Sequence, residues 1–535
     1  MAERSTADLA LTLTRASRTP LPVQVADGIR ALIMSGALAP GDALPSTRFL
    51  AQRLSVSRGT IVAAFDQLIS EGALLASQGR PTTVHPSLPA HLLQQVSAAA
   101  PDPTAASTRR PASPGASTAA APGRPDPVPA PAPASAPAVD LRPGLPRTTR
   151  IGGAAWRSAW RRAAAAPEAE TGGLTGLPDL RAGIAEHLRL MRGLTTDPAA
   201  LLVTAGSRDG LELILHALAA ARGTLSIGVE TPGYPGLRRV PQVLGHRIVP
   251  LGVDGNGLRV DALPTGAAAP DAVIVTPSHQ YPLGGSLSLD RRLALLEWAR
   301  NEDALIIEDD FNSELRYTGA PLPPLSAIDP HGRTVLLGTF SRLLSPDLAV
   351  GFVRPTGAAL LAELRDVREV LGVRVSATTQ HAVAHLLADG TVRRHTRTER
   401  LRLGRRREAL LAAMLDVPGV RVLPMHGGSD AVIRFDDGGG PGGVGGAGGA
   451  GRAAGADAEN RAVAACADAG ITVGRLSAAW GAESQAAPVD PSPAAAVGGV
   501  GGAGIVLGLA RPADGAFSAM LPRLASALAT VHHTR

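Results

Sequence analysis

Residues 304–310, "ALIIEDD", run from a short apolar stretch into three carboxylates. Four more runs have the same form: "ALLVTAG" (200–206), "TLSIGVE" (224–230), "DAVIVTP" (271–277) and "TVLLGTF" (334–340). Each apolar stretch is too short for a helix and ends in polar or turn residues, as strands buried on both faces do. The longer stretches between them have helical periodicity. That alternation predicts an α/β domain with a central, mostly parallel sheet, extending from residue 140 to the end. Two Gly/Ala-rich tracts, 438–456 and 484–503, read as loop insertions.

The rest of the composition sets bounds. At roughly 100–200 residues per domain, 535 residues imply about two to four domains, and 45% apolar residues are enough for a large core. Cys466 is the single cysteine, so no internal disulfide forms. There is no N-terminal apolar h-region and no run of about 20 apolar residues, so a cytoplasmic protein with no membrane association is expected. The formal charge of +6 permits an anionic partner without identifying one. All 52 basic residues are arginines, and the chain contains no lysine. The abundance of Ala, Gly, Pro and Arg is that of GC-rich coding. Its chemical consequence is firm: a guanidinium, protonated up to a pKa above ~12, cannot be the amine of a Schiff base.

Residues 15–86 read as a separate small unit of three helices and a wing. The first helix, about 21–35, places Val25, Ile29, Leu32 and Ile33 on one face. Ser46 caps a second helix, "TRFLAQRL". The turn "SVS" leads to a third, "RGTIVAAFDQLISEG", closed by Gly72. Two short helices joined by such a turn form a helix-turn-helix, whose second helix enters the DNA major groove. Residues 1–85 hold eight arginines and six acids, so there is no basic tract. Position matters more: Arg48, Arg58 and Thr60 stand at helix starts, where N–H groups meet phosphate and arginine forks onto guanine. Residues 87–139, dominated by Pro, Ala and Ser, read as a flexible linker.

The run "LAPGDALPSTRFLAQRLSVSRGTIVAAFDQLISEGAL" closely resembles the winged-helix domain of GntR-type bacterial transcription regulators. The resemblance implies a double-stranded DNA operator as partner. It implies Ser46, Arg48, Ser57, Arg58 and Thr60 as DNA-binding residues, with Gly79 and Arg80 at the wing. The wing departs from the family's "G-x-G-T-F/Y-V": Pro81 replaces its second glycine and Thr83 its aromatic.

With that head and linker, the body resembles the MocR-like subfamily, whose fold is that of type I aminotransferases. The matching stretches include "GLPDLRAGIAEHLRLMRG", "VETPGYPG", "VTPSHQYPLGG", "IIEDDFNSELRYTGAPLPPL" and "GTFSRLLSPDLAVGF". The fold class is therefore multidomain: a winged-helix head plus an α/β type I aminotransferase-like body. A homodimer, head to tail, and a small-molecule effector are implied.

Pyridoxal 5'-phosphate is the cofactor the resemblance implies. Such a site needs a carboxylate at the ring nitrogen, an aromatic over the ring and N–H groups at the phosphate. Asp309, Tyr234, and Gly206 with Ser207 fill these roles, and Ser341 and Arg342 complete the cofactor-binding set. The alternative for Glu308, Asp309 and Asp310 is a strand ending in solvated charges. Arg208 favours an anion and Asp209 opposes one. The departures are heavier. Arg342 stands at the Schiff-base lysine, Ala349 at the phosphate-binding arginine and Phe311 at the tyrosine that bonds the ring hydroxyl. Thr171 stands at the tyrosine lent by the partner subunit, and Val506 at the substrate-carboxylate arginine. No covalent aldimine forms without a lysine. Two options remain for Arg342: it neutralises a bound anion, or it fills space and pairs with Asp309 or Asp310. The expected function is a MocR-type regulator that senses pyridoxal phosphate non-covalently or another amine or carboxylate effector. The alternatives are an aminotransferase, disfavoured by the missing lysine, and a ligand-independent dimeric scaffold. "RRHTRTERLRLGRRR" reads as an exposed amphipathic helix. His279 and His426 read as structural residues, and no Cys/His cluster suggests a metal.

Overall fold

A computed structural model describes residues 13–14, 21–34, 37–39, 41–70, 73–75, 81–85, 138–144, 153–167, 173–317, 323–424, 426–435, 449–480 and 503–533. In the head, α1 (Leu21–Met34), α2 (Thr47–Arg53) and α3 (Arg58–Ser70) are followed by β1 (Leu74–Leu75) and β2 (Thr83–Val84), an antiparallel pair. Val25, Ile29 and Ile33 recur every fourth residue of α1 and pack with Leu50 of α2 and Ile61, Phe65 and Leu68 of α3. Leu32 sits at the rim of this core. Ser46 caps α2 by accepting from the Phe49 N–H (3.2 Å), and Ser57 caps the start of α3 by accepting from the Thr60 N–H (3.1 Å). The turn between them is tight enough to place Ser55 at φ 51°. The expected linker, 87–139, lies almost wholly outside the described residues, as do Gly72, Gly79, Arg80 and Thr171.

The body opens at β3 (Val139–Leu141), then α4 (Gly153–Ala164) and α5 (Pro178–Arg192). The large sheet follows: β4 (Leu202–Thr204), β5 (Ser226–Thr231), β6 (Arg247–Asp254), β7 (Gly257–Leu258), β8 (Ala272–Val275), β9 (Leu305–Asp309), β10 (Thr334–Thr339) and β11 (Gly351–Pro355). Its order is β4-β11-β10-β9-β8-β5-β6-β7, with β10, β9, β8, β5 and β6 mutually parallel. The five apolar runs are β4, β5, β8, β9 and β10. Strand periodicity explains their unbroken apolarity. Leu305, Ile307, Val335 and Leu337 face one helical layer, with α6 (Gly206–Arg222). Val273, Val275 and Ile306 face the other, with α8 (Leu289–Asn301), α7 being Pro235–Val243.

Three helices follow: α9 (Ala358–Leu371), α10 (Ala377–Ala388) and α11 (Thr391–Met414). A smaller sheet then forms from β12 (Val420–Val422), β13 (Asp430–Phe435), β14 (Ile471–Arg475) and β15 (Gly504–Gly508), with α12 (Gly449–Asp468) and α13 (Asp514–His533) against it. Its order is β12-β13-β15-β14-β3, so the strand that opens the body closes this sheet.

Two expectations change. The tract 438–456 is not all loop, because α12 begins at Gly449 and continues into Ala-rich sequence of high helix propensity. The arginine-rich segment is a helix, α11, but not an exposed amphipathic one: Arg393, Arg402 and Arg406 are buried. Arg402 donates to Ala510 O (2.9 Å) and Pro512 O (2.8 Å), and Arg406 to Leu509 O (2.6 Å) and Pro512 O (2.7 Å). Both also bond Asp514. The turn between β15 and α13 presents carbonyls, and buried carbonyls need donors.

Candidate functional site

The candidate residues gather where β5, β8, β9 and β10 end, the edge at which open α/β sheets bind ligands. β9 delivers Asp309, only 6% exposed, which rules out the solvated strand end; Glu308 is fully buried. Burial pushes the Asp309 carboxyl up to about 7, against the opposing pull of the Arg342 guanidinium. Among the described residues this carboxyl accepts no hydrogen bond.

β10 ends at Thr339, and the turn that follows places Arg342 over two aromatic rings. Its Cζ lies 4.4 Å from the Phe311 ring centroid and 5.3 Å from that of Tyr234. These two rings are near-parallel, with an interplanar angle of 15° and centroids 6.4 Å apart. Tyr281 stands edge-on to both, at 5.5 Å and 5.8 Å. The Arg342 Nη1 lies 3.9 Å from Asp430 Oδ2, an ion-pair distance too long for a hydrogen bond, and is buried without a hydrogen-bond partner. Asp430 itself accepts from the Gly144 N–H (3.1 Å). Gly144 has φ +80°, a conformation that favours glycine, and a Cβ there would stand 3.0 Å from Arg342 Nη1 and press on that side chain. Of the two options for Arg342, the close pair with Asp309 or Asp310 does not form. Asp310 is taken by Arg192 (2.9 Å), and Asp309 feels Arg342 only at longer range. His279 is driven down to about 4, by burial first and then by Arg316 and Arg342, so it is a neutral imidazole here.

The start of α6 lies beside these residues. Its first N–H groups, at Gly206, Ser207 and Arg208, have no acceptor within the helix. Gly206 has φ +82°, and a Cβ on it would come within 3.6 Å of Ser341 Oγ and 3.7 Å of Thr339 Oγ1. The loop carrying Ser341 therefore lies over the helix start. Asp209 does not oppose an anion as its charge alone suggested. It accepts from the Ala205 N–H (2.8 Å) and pairs with Arg368 (3.0 Å) and Arg374 (3.1 Å). Arg208 is exposed, and Ala349 brings no cation. Beside this helix start a cavity of about 860 Å³ is lined by Arg208, Tyr234, Arg239, Tyr281 and Arg475, among others. Val506 is remote in character: it is buried with Val432 and Leu476 in the small sheet.

These residues fit a pyridoxal phosphate held by stacking and polar contacts. Asp309 would face the ring nitrogen, Tyr234 would cover the ring, and the first N–H groups of α6 would hold the phosphate. They do not fit a covalently anchored one. Sequence reasoning missed Tyr281, Asp430 and Gly144. Tyr281 lies in "VTPSHQYPLGG", where nothing in the local sequence gives it a role. The Gly144–Asp430 contact joins residues 286 positions apart, which no local pattern reveals.

Glu230 and Glu308 are, like Asp309, pushed up to about 7, each chiefly by burial. A carboxyl raised in the fold favours its protonated form there. The stability these groups contribute is complete below the ordinary carboxylate range of ~4 and is lost as pH rises to about 7. We expect the urea midpoint of the body to fall between about pH 5 and pH 7, and Asp309→Asn to flatten that fall. A midpoint that rises over this interval contradicts the assignment.

In the head, Arg48 and Arg58 are exposed at the starts of α2 and α3. Thr60 is half-buried, its hydroxyl 2.9 Å from that of Ser57. Ser46 and Ser57 spend their hydroxyls on the helix caps, so the structure brings together two exposed arginines on two capped helix starts. No described helix is long and apolar enough to cross a membrane, and no metal-binding cluster occurs among the described residues.

A helix-turn-helix head on a body of aminotransferase architecture defines a DNA-binding transcription regulator with an aminotransferase-like second domain. The family model of bacterial regulatory proteins of the gntR family matches residues 21–84, and that of aminotransferases of class I and II matches residues 152–437. The HTH-type pyridoxine biosynthesis transcriptional regulator PdxR of Corynebacterium glutamicum is 45% identical over 80% of this chain and 86% of its own length. The probable rhizopine catabolism regulatory protein MocR of Rhizobium meliloti is 31% identical over 75% and 78%. An archaeal alanine:glyoxylate aminotransferase structure superposes with a TM-score of 0.61 at 22% identity, covering 73% of this chain and 90% of that one, which establishes the fold. The chain belongs to the MocR-like subfamily of GntR-type transcription regulators.

Proposed function

We propose that the body is a ligand sensor and not an enzyme. It forms a head-to-tail homodimer and binds pyridoxal 5'-phosphate, or another amine or carboxylate effector, without a covalent bond. Occupancy alters how the two heads sit on the operator. The observation that carries this reading is Arg342, an amine-less cation stacked on Phe311 and Tyr234 where a pyridoxal phosphate enzyme needs its lysine. The name of the PdxR relative, which ties that protein to pyridoxine biosynthesis, supports a vitamin-B6-type effector.

In this reading Asp309 holds a ring nitrogen's proton, Tyr234 covers the ring face, and the α6 N–H groups with Ser207 and Ser341 hold the phosphate. Bound pyridoxal phosphate supplies an electron sink, but no residue here performs the proton shuttle that transamination requires. Closing residues around a ligand stabilises one arrangement of a two-state dimer, and only differential affinity for the two arrangements shifts the heads.

In the head, Arg58 reads a base edge and Arg48 a phosphate. Arg58→Ala is expected to cost about 1–3 kcal/mol of specific operator affinity. Arg48→Ala weakens binding evenly across sequences. Genomic fragments captured by the native protein serve as the operator for anisotropy titrations. Footprints of the same fragments with and without pyridoxal phosphate test the sensor: a changed affinity or half-site spacing is expected, and identical footprints favour a ligand-independent scaffold.

A further inference from the structure

Arg342, half-buried, and Asp309, buried, are opposite charges at the same edge of the sheet, and neither side chain makes a hydrogen bond among the described residues. Arg342's side chain is only 18% exposed. Other buried arginines of the body are treated differently by the fold. Arg292 donates to the carbonyls of Leu287, Pro277 and Pro323. Arg368 donates to Asp209, and Arg402 and Arg406 to the β15–α13 turn. The Arg342 charge is met by the two rings and by Asp430 at 3.9 Å, but its Nη1 is buried without a hydrogen-bond partner, and a buried donor left unbonded is costly, so this edge of Arg342 calls for an acceptor from outside the chain.

The geometry says which part of Arg342 is open. Phe311 and Tyr234 take the flat face of the guanidinium, at 4.4 and 5.3 Å from Cζ. Stacking leaves the N–H groups in the guanidinium plane unused, and that edge is the part that forks onto a carboxylate. Asp430, at 3.9 Å, is in ion-pair range of Nη1 but accepts no hydrogen bond from it. Asp309 offers the complementary need, an acceptor awaiting a nitrogen-borne proton.

We propose that Arg342 and Asp309 select one class of ligand: a planar nitrogen heterocycle whose ring nitrogen donates to Asp309 and which presents an oxyanion, carboxylate by preference, to the edge of Arg342. The inference rests on the reading that the body binds a pyridoxal-type ring, and it adds a direction of selectivity. An enzyme's lysine at this position selects an aldehyde by reacting with it. A fixed cation selects acid over carbonyl and carbonyl over ammonium by charge alone. The pocket thus distinguishes the oxidised, acidic form of the ring from its amine form.

Calorimetric titration of the full-length protein with 4-pyridoxate, pyridoxal and pyridoxamine tests this, since the three share a ring and differ at one substituent. Titration with pyridoxal 5'-phosphate runs alongside. We expect 4-pyridoxate to bind at least about tenfold tighter than pyridoxamine, with pyridoxal between them, a tenfold ratio being about 1.4 kcal/mol. Arg342→Gln should collapse the ratio to near unity, and Asp309→Asn should weaken all three together while keeping their order. The selectivity is overturned if pyridoxamine binds as tightly as 4-pyridoxate, if 4-pyridoxate fails to bind, or if the preference survives Arg342→Gln. Where pyridoxal phosphate binds and the order fails, the sensor reading stands and the selectivity falls. Where none of the four binds, both fall. Each variant is checked by its thermal melt, and Asp309→Asn gives an independent result if Arg342→Gln does not fold.

Discussion

Arg342→Lys gives the chain a covalent pyridoxal phosphate adduct that the native protein does not form. Apart from its α-amino group the native chain holds no primary amine, since all 52 basic side chains are arginines. A lysine at 342 attacks the aldehyde carbon, and loss of water leaves a C=N bond. The new amine stands beside Phe311 and Tyr234, the two rings that Arg342 stacks on. Ala349 and Phe311 remain as they are, so the adduct is expected without transamination. The spectrum should change from no bound visible band to a near-stoichiometric one that survives dialysis and is discharged by a competing amine. A variant that stays colourless shows that position 342 does not face the ligand.

Arg192→Ala is expected to be the most destabilising single change near the pocket. The Arg192 side chain is fully buried, 2.9 Å from Asp310 Oδ1, and donates to Ser278 Oγ at 3.2 Å. Asp310 is itself only 7% exposed and sits between Asp309 and Phe311 in the chain. Removing the cation leaves a buried carboxylate uncompensated, at a cost of about 3–5 kcal/mol in urea unfolding. Adding Asp310→Asn removes the stranded charge, so the double variant should recover part of the loss. Equal stability of Arg192→Ala and the native chain, or losses that simply add, contradicts this role.

The large sheet was legible because both faces of its strands are apolar: Ile306 packs to one side while Leu305 and Ile307 pack to the other, so no polar residue interrupts the run. The floor of the pocket was legible through Asp309 and Arg342, each fixed to a strand end by a few residues of local sequence. Its walls were not. Gly144 meets Arg342 and Asp430 only because β3 joins the sheet that contains β13, and Tyr281 turns inward from a loop after β8. The arginines of α11 misled for a related reason. Charge periodicity along a helix tells of a polar face, but their partners are backbone carbonyls near residue 510, which carry no sequence signature.

The central claim is that the native body holds its ligand without a covalent bond, and one measurement addresses it directly. The purified full-length protein is titrated with pyridoxal 5'-phosphate in a calorimeter, and its absorption spectrum is recorded before and after dialysis. Saturable heat without a retained visible band, the ligand leaving on dialysis, is the predicted result. A band that resists dialysis and disappears only when a competing amine is added contradicts it.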